Sequence, residues 1–149
     1  MKTLVFKKVG SMMIVASLLM LLSSCHGNSK RLFPSKRKDS YLITYSKNEI
    51  VVESDNGATH FIYKNGEYFT SFGSDSIVFF STVKDYRLKI TSDTGLHYKI
   101  IIEKGDNGVY KTTTYLITDK GCDHPTISYS YDSNYQILQV EKLRNIVYK

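Results

Sequence analysis

From Asp55 to Asn134 the sequence is broken at short intervals by groups that favour tight turns. They are Asp55-Asn56-Gly57, Asn65-Gly66, Lys84-Asp85, Asp93-Thr94-Gly95, Asp106-Asn107-Gly108 and Asp132-Ser133-Asn134. Asn-Gly suits the two central positions of a hairpin because both residues there take positive φ. Connections this short leave no room for the crossover of about a dozen residues that parallel strands need. Neighbouring strands must therefore run antiparallel, and the spacing leaves little chain for helices.

The segments between the turns are rich in β-branched and aromatic residues, which fit a pleated, half-buried surface. They predict strands at Tyr41–Tyr45, Glu49–Glu53, Thr59–Tyr63, Tyr68–Phe72, Ile77–Val83, Tyr86–Thr91, Leu96–Glu103, Val109–Thr118, Thr126–Tyr131 and Tyr135–Lys142, with a last piece at Ile146–Tyr148. Tyr86, Leu88 and Ile90 alternate with Arg87, Lys89 and Thr91, and Leu96, Tyr98, Ile100 and Ile102 alternate with His97, Lys99, Ile101 and Glu103. Ile127, Tyr129 and Tyr131 likewise oppose Ser128 and Ser130. One face of such a sheet is wet. Ile77–Phe80 is apolar on both faces, as a central strand would be. The expected fold is all-β: an antiparallel meander of about 8–10 short strands, closed as an up-and-down barrel or folded as a two-sheet sandwich. One domain over 41–149 is long enough for a single core.

The N-terminus has a different character. Met1–Lys8 is short and basic, and Val9–Leu22 is almost wholly apolar. Fourteen residues reach about 21 Å as a helix, short of a hydrocarbon core of about 30 Å. A basic flank, a short apolar run and small residues form the pattern of a cleaved export signal. The run ends in Leu22-Ser23-Ser24-Cys25, which resembles the lipobox of bacterial lipoproteins. That resemblance implies cleavage after Ser24 and acylation of Cys25 as the new first residue, with three acyl chains. One myristoyl chain binds a membrane only marginally, whereas several anchor a protein firmly. In enteric bacteria an aspartate after the cysteine marks inner-membrane retention, so His26 points the expectation to the outer membrane.

Residues 25–40 read as a lipidated, basic, flexible tether. His26–Lys38 has five cations, no acid and no hydrophobic period, too little apolar surface to offset its ordering entropy. Basic residues close to an anionic lipid surface add attraction within a Debye length. The charge of +6 is therefore uneven: from Asp39 onward 12 Lys/Arg face 14 Asp/Glu. A body that is slightly acidic is a poor nucleic-acid binder.

Few residues propose chemistry. Cys122 lies in Lys120-Gly121-Cys122-Asp123-His124-Pro125, the longest break between the expected strands. Cys, Asp and His are ligand and nucleophile residue types, yet neighbours in a loop seldom converge on one tetrahedral ion. The expectation is a loop thiol, partly buried or paired between molecules. Without lipidation, a Cys25–Cys122 disulfide would be the default. His60 and His97 fall within strands as surface or cross-strand residues. The Asp-Asn-Gly triplets lack the further acids and distal glutamate of a calcium loop. No phosphate loop, His-Glu-x-x-His or Gly-x-Ser-x-Gly is present. No enzyme, cofactor or metal is expected. Of the 19 Tyr and Phe, 18 follow Cys25, and tyrosine is enriched where proteins meet proteins or sugars. The expected function is a membrane-anchored binding module with a protein or glycan partner, for instance an inhibitor or immunity protein against an envelope-directed enzyme. Alternatives are a pilotin-like assembly factor or a lipocalin-like carrier.

Overall fold

A computed structural model describes residues 28–32 and 41–142. These residues form eleven strands: β1 (Asn28–Leu32), β2 (Tyr41–Tyr45), β3 (Glu49–Ser54), β4 (Gly57–Lys64), β5 (Glu67–Phe72), β6 (Asp75–Phe80), β7 (Tyr86–Thr91), β8 (His97–Lys104), β9 (Tyr110–Ile117), β10 (Asp123–Tyr131) and β11 (Ile137–Lys142). The only helical piece among them is a single 3-10 turn at Asp106–Gly108. The segment expected to direct export, Cys25 and the strand expected at Ile146–Tyr148 lie outside the described residues.

The strands form two antiparallel sheets, one ordered β1-β2-β3-β4-β5-β6 and the other β11-β10-β9-β8-β7. Within each sheet every strand pairs with its neighbours in sequence, so the meander holds. Among the described residues neither sheet closes on itself, so the expected barrel is not formed and the two sheets make a sandwich. The Asn65-Gly66 hairpin shows the local rule at work. Lys64 pairs with Glu67, and the two residues between them sit at φ 55° and 90°.

Three expectations change. Asn28–Leu32, read from composition as flexible tether, is instead β1, paired along its length with β2. The Lys30 ammonium donates to the Ile137 carbonyl of β11 at 3.2 Å, which ties this edge of the first sheet to the edge of the second. Ile77–Phe80 belongs to an edge strand and not a central one. A register shift between Tyr68 and Phe69 turns both Phe79 and Phe80 into the core, and the Thr112 hydroxyl of β9 donates to the Phe79 carbonyl at 2.6 Å. The expected break at Lys120–Pro125 is also shorter, because β10 already begins at Asp123.

The core lies between the sheets. Ile43, Ile50, Phe61 and Phe80 from the first sheet meet Ile100, Ile102, Tyr129 and Tyr131 from the second, all buried. Aromatic rings fill its centre: Phe61 stands 5.0 Å from Phe79, 4.6 Å from Phe80 and 6.0 Å from Tyr129 between centroids. These are the tilted and edge-on geometries that aromatic pairs favour.

The sandwich has two ends. At one of them stand the start of β1, the β2–β3, β4–β5, β8–β9 and β10–β11 turns, and the β6–β7 crossing. Tyrosines stitch these together, as described below. The opposite end holds the β3–β4, β5–β6, β7–β8 and β9–β10 turns. There Gly73, at φ 62°, lies so near Asp93 that a Cβ would come within 2.4 Å of its carboxylate. A side chain at this position would take up a strained backbone and push the Asp93 carboxylate aside.

Candidate functional site

Strand alternation separates the three residues that sequence placed side by side. Cys122 is a free, exposed thiol at the end of the β9–β10 turn, more open than the partly buried thiol expected. Asp123 and His124 are the first two residues of β10 and so point to opposite faces. Asp123 is ion-paired with Lys99 of β8, while His124 stands opposite Leu116. They do not converge. His60 reaches Glu49 across β3 and β4, Nδ1 to Oε1 at 2.6 Å, and His97 lies 3.0 Å from the Thr91 hydroxyl. Both are cross-strand surface contacts, as expected. Among the described residues no group of three or more His, Cys, Asp or Glu is placed to hold a metal ion.

The most concentrated polar chemistry was missed from the sequence. Where the chain passes from β6 to β7, Ser81 is fully buried. The Tyr131 hydroxyl donates to the Ser81 carbonyl and accepts from the Ser81 N–H, both at 3.0 Å. The Ser81 hydroxyl donates to Glu67 at 2.7 Å, and the Tyr86 hydroxyl donates to the same carboxylate at 2.8 Å. Tyr135 completes the set by donating to the Gly66 carbonyl at 2.6 Å and accepting from the Thr82 N–H at 3.1 Å. It holds φ at 61°, a costly region for a bulky residue. Its ring lies 5.0 Å from Tyr68 and 5.9 Å from Tyr131. The groups joined here lie 50 or more residues apart in places, so no local sequence pattern announces them.

A carboxylate between two hydroxyls invites a catalytic reading, and the electrostatics oppose it. Burial, then the bond to Glu67, pushes the Tyr86 phenol up to about 12. Burial also pushes Tyr131 up to about 12, against the hydrogen bonds from Thr112 and Ser81. Tyr45, Tyr68 and Tyr129 are raised as well, mainly by burial. A phenol acting as base or nucleophile needs its pKa lowered toward neutrality. Tyr86 and Tyr131 are held protonated as donors to Glu67 and Ser81, and with Tyr135 they clasp the crossing.

The clasp sets an alkaline limit on stability. A folded pKa raised above the unfolded value of about 10 contributes stability that is complete below about pH 10 and lost as pH rises through about 12. Phenolate absorbance is expected to show Tyr86 and Tyr131 ionising near pH 12, together with loss of the β-sheet circular dichroism signal. Ionisation of every tyrosine near pH 10 with the fold intact would contradict this packing.

The outer face of the second sheet carries several charges, with Arg87, Lys89 and Glu103 exposed and Lys99 and Lys111 half-buried. Its first three strands place Arg87, Lys89, Lys99 and Lys111 on one side with Glu103, and Lys89 stands directly opposite Lys99. Lys99 leans away from that neighbour, toward Asp123 and over the Tyr115 ring at 4.7 Å. Compared with protein-family models, curated proteins and solved structures, the chain matches none.

Proposed function

We propose that this protein is a lipid-anchored, non-catalytic binding module of a bacterial envelope. The observation that carries this reading is Leu22-Ser23-Ser24-Cys25 following directly on a basic and then an apolar stretch. In this reading residues 1–24 are removed and Cys25 bears the lipid. His26 favours the outer membrane as destination, with the body on the periplasmic side.

Ring packing between the sheets supports recognition at the surface over carriage of a small ligand inside. The face bearing Arg87, Lys89, Lys99 and Lys111 supports a partner of acidic character, protein or glycan. Lys99 is already engaged by Asp123, so Arg87 and Lys89 are the cations of this face that an anionic partner would meet. An inhibitor or immunity protein that covers an envelope-directed enzyme is the form this takes most simply.

Envelope fractionation tests the anchor. The native protein is expected in the membrane fraction and the Cys25→Ala form in the soluble fraction. A Cys25→Ala protein that stays with the membrane would contradict the reading.

A further inference from the structure

The strand β1 changes what an anchor at Cys25 would do. A flexible tether from Cys25 to Lys38 would let the body wander up to about 45 Å from the lipid. Because Asn28 is already paired with Tyr45, only three residue steps separate Cys25 from the folded sheet. They span about 10 Å at most. The end of the sandwich where β1 begins is thereby held at the headgroup layer. The other end of this strand pair, where Leu32 meets Tyr41, lies away from the anchor.

The exposed apolar side chains gather at the same end. Val83, on the β6–β7 crossing, is 68% exposed, and Ile62, Tyr63 and Leu138 are 42–49% exposed. All four lie at or within a few residues of the turns at the β1-start end, and Leu96 is the one large exposed apolar side chain described at the other. Lys47, Lys64, Lys84 and Lys104 are exposed around this patch. The acids of this end are largely engaged. Glu67 accepts from Ser81 and Tyr86, Asp85 accepts the Lys104 N–H, Asp132 accepts the Asn134 and Gln136 N–H groups, and Glu49 meets His60. Glu103 and Asp106 are exposed there as well, so six acids share this end with the four lysines. Tyrosine and lysine are the residues that settle at a membrane interface, the ring at headgroup level and the ammonium reaching out to water.

We propose that the anchored protein rests end-on on the lipid surface, with Val83, Tyr63 and Leu138 set among the headgroups and Lys47, Lys64 and Lys84 around them. This rests on the lipid anchor at Cys25. It leaves the outer faces of both sheets standing clear of the membrane, and the end bearing Cys122 pointing away from it.

The native thiol provides the test. The purified lipidated protein is placed in phosphatidylethanolamine and phosphatidylglycerol vesicles. A fluorophore is attached either to Cys122 or to the thiol of a Val83→Cys, Cys122→Ser form, and quenched with a lipid bearing a shallow nitroxide. Val83 is exposed and Cys122 lies on a turn, so neither change disturbs the core. Quenching at position 83 is expected to exceed that at Cys122 by at least about twofold, with the reverse order for aqueous iodide. Equal quenching at the two positions, or more at Cys122, would overturn the orientation while leaving the anchor standing. Flotation with the vesicles separates the two failures. If the native protein floats no better than its Cys25→Ser form, the anchor reading falls, and the orientation falls with it.

Discussion

Replacing Phe61 with alanine is expected to cost about 4 kcal/mol and to bring the protein close to unfolding at ambient temperature. The size of the effect follows from how little else holds β4 to the core. β4 is central in its sheet, yet Phe61 is the one buried residue along its eight. Its ring touches Phe79 and Phe80 from β6 and Tyr129 from β10 in the opposite sheet. Truncation removes the transfer free energy of a fully buried ring and leaves a cavity among three other rings, which close packing fills only in part. The neighbouring Ile62→Ala, on the opposite and exposed face, is expected to change stability by no more than about 0.5 kcal/mol. Urea denaturation of the body starting at His26 measures both. Similar midpoints for the two variants would show that the ring cluster is not the centre of the core.

The second large effect is expected at Tyr131. Phenylalanine keeps the ring, its 4.9 Å contact with Phe80 and its stack on Tyr135, and removes only the hydroxyl. That hydroxyl satisfies both the N–H and the carbonyl of buried Ser81. A buried polar group left without a partner costs about 1–3 kcal/mol, so Tyr131→Phe is expected to lose about 3 kcal/mol and on the order of 10 °C in melting temperature. Water cannot readily replace the hydroxyl, because Thr112, Phe79 and Phe80 pack around the site. A loss below about 0.5 kcal/mol would mean that the crossing holds without its clasp.

The pattern of what sequence shows and hides follows from how local each determinant is. Turn chemistry and alternation act within a few residues, so β2 and β7 fall where they were expected, and the Asn65-Gly66 hairpin closes in the expected register. β1 was hidden because Asn28-Ser29-Lys30-Arg31-Leu32 has no apolar face. Its pairing is supplied by the free edge of β2 and by Lys30 reaching Ile137, 107 residues away. β6 looked central because a bulge, invisible in composition, puts two successive phenylalanines on the same side. The clasp was hidden for the same reason as β1, since Ser81 and Tyr131 meet across the sandwich. Conversely, Cys122, Asp123 and His124 looked like a site because adjacency in sequence resembles proximity, and the pleat of β10 sends its first two side chains apart.

These features locate the proposed function at the surface and at the anchor. A core of interlocked rings and a crossing held by protonated phenols give a rigid body, and β1 shortens the link between that body and Cys25. The charge of the whole chain then has three separate meanings. In the proposed reading part of it leaves with the export segment and part stands on β1 and residues 33–40, while the body is slightly acidic, with four of its 12 cations on one sheet face and four more around the end where β1 begins.

The anchor is the claim on which the rest depends, and growth of producing cells in radioactive palmitate tests it most directly. Label is expected in the native protein and absent from the Cys25→Ala form. Equal label in both forms, or none in the native protein, would contradict it.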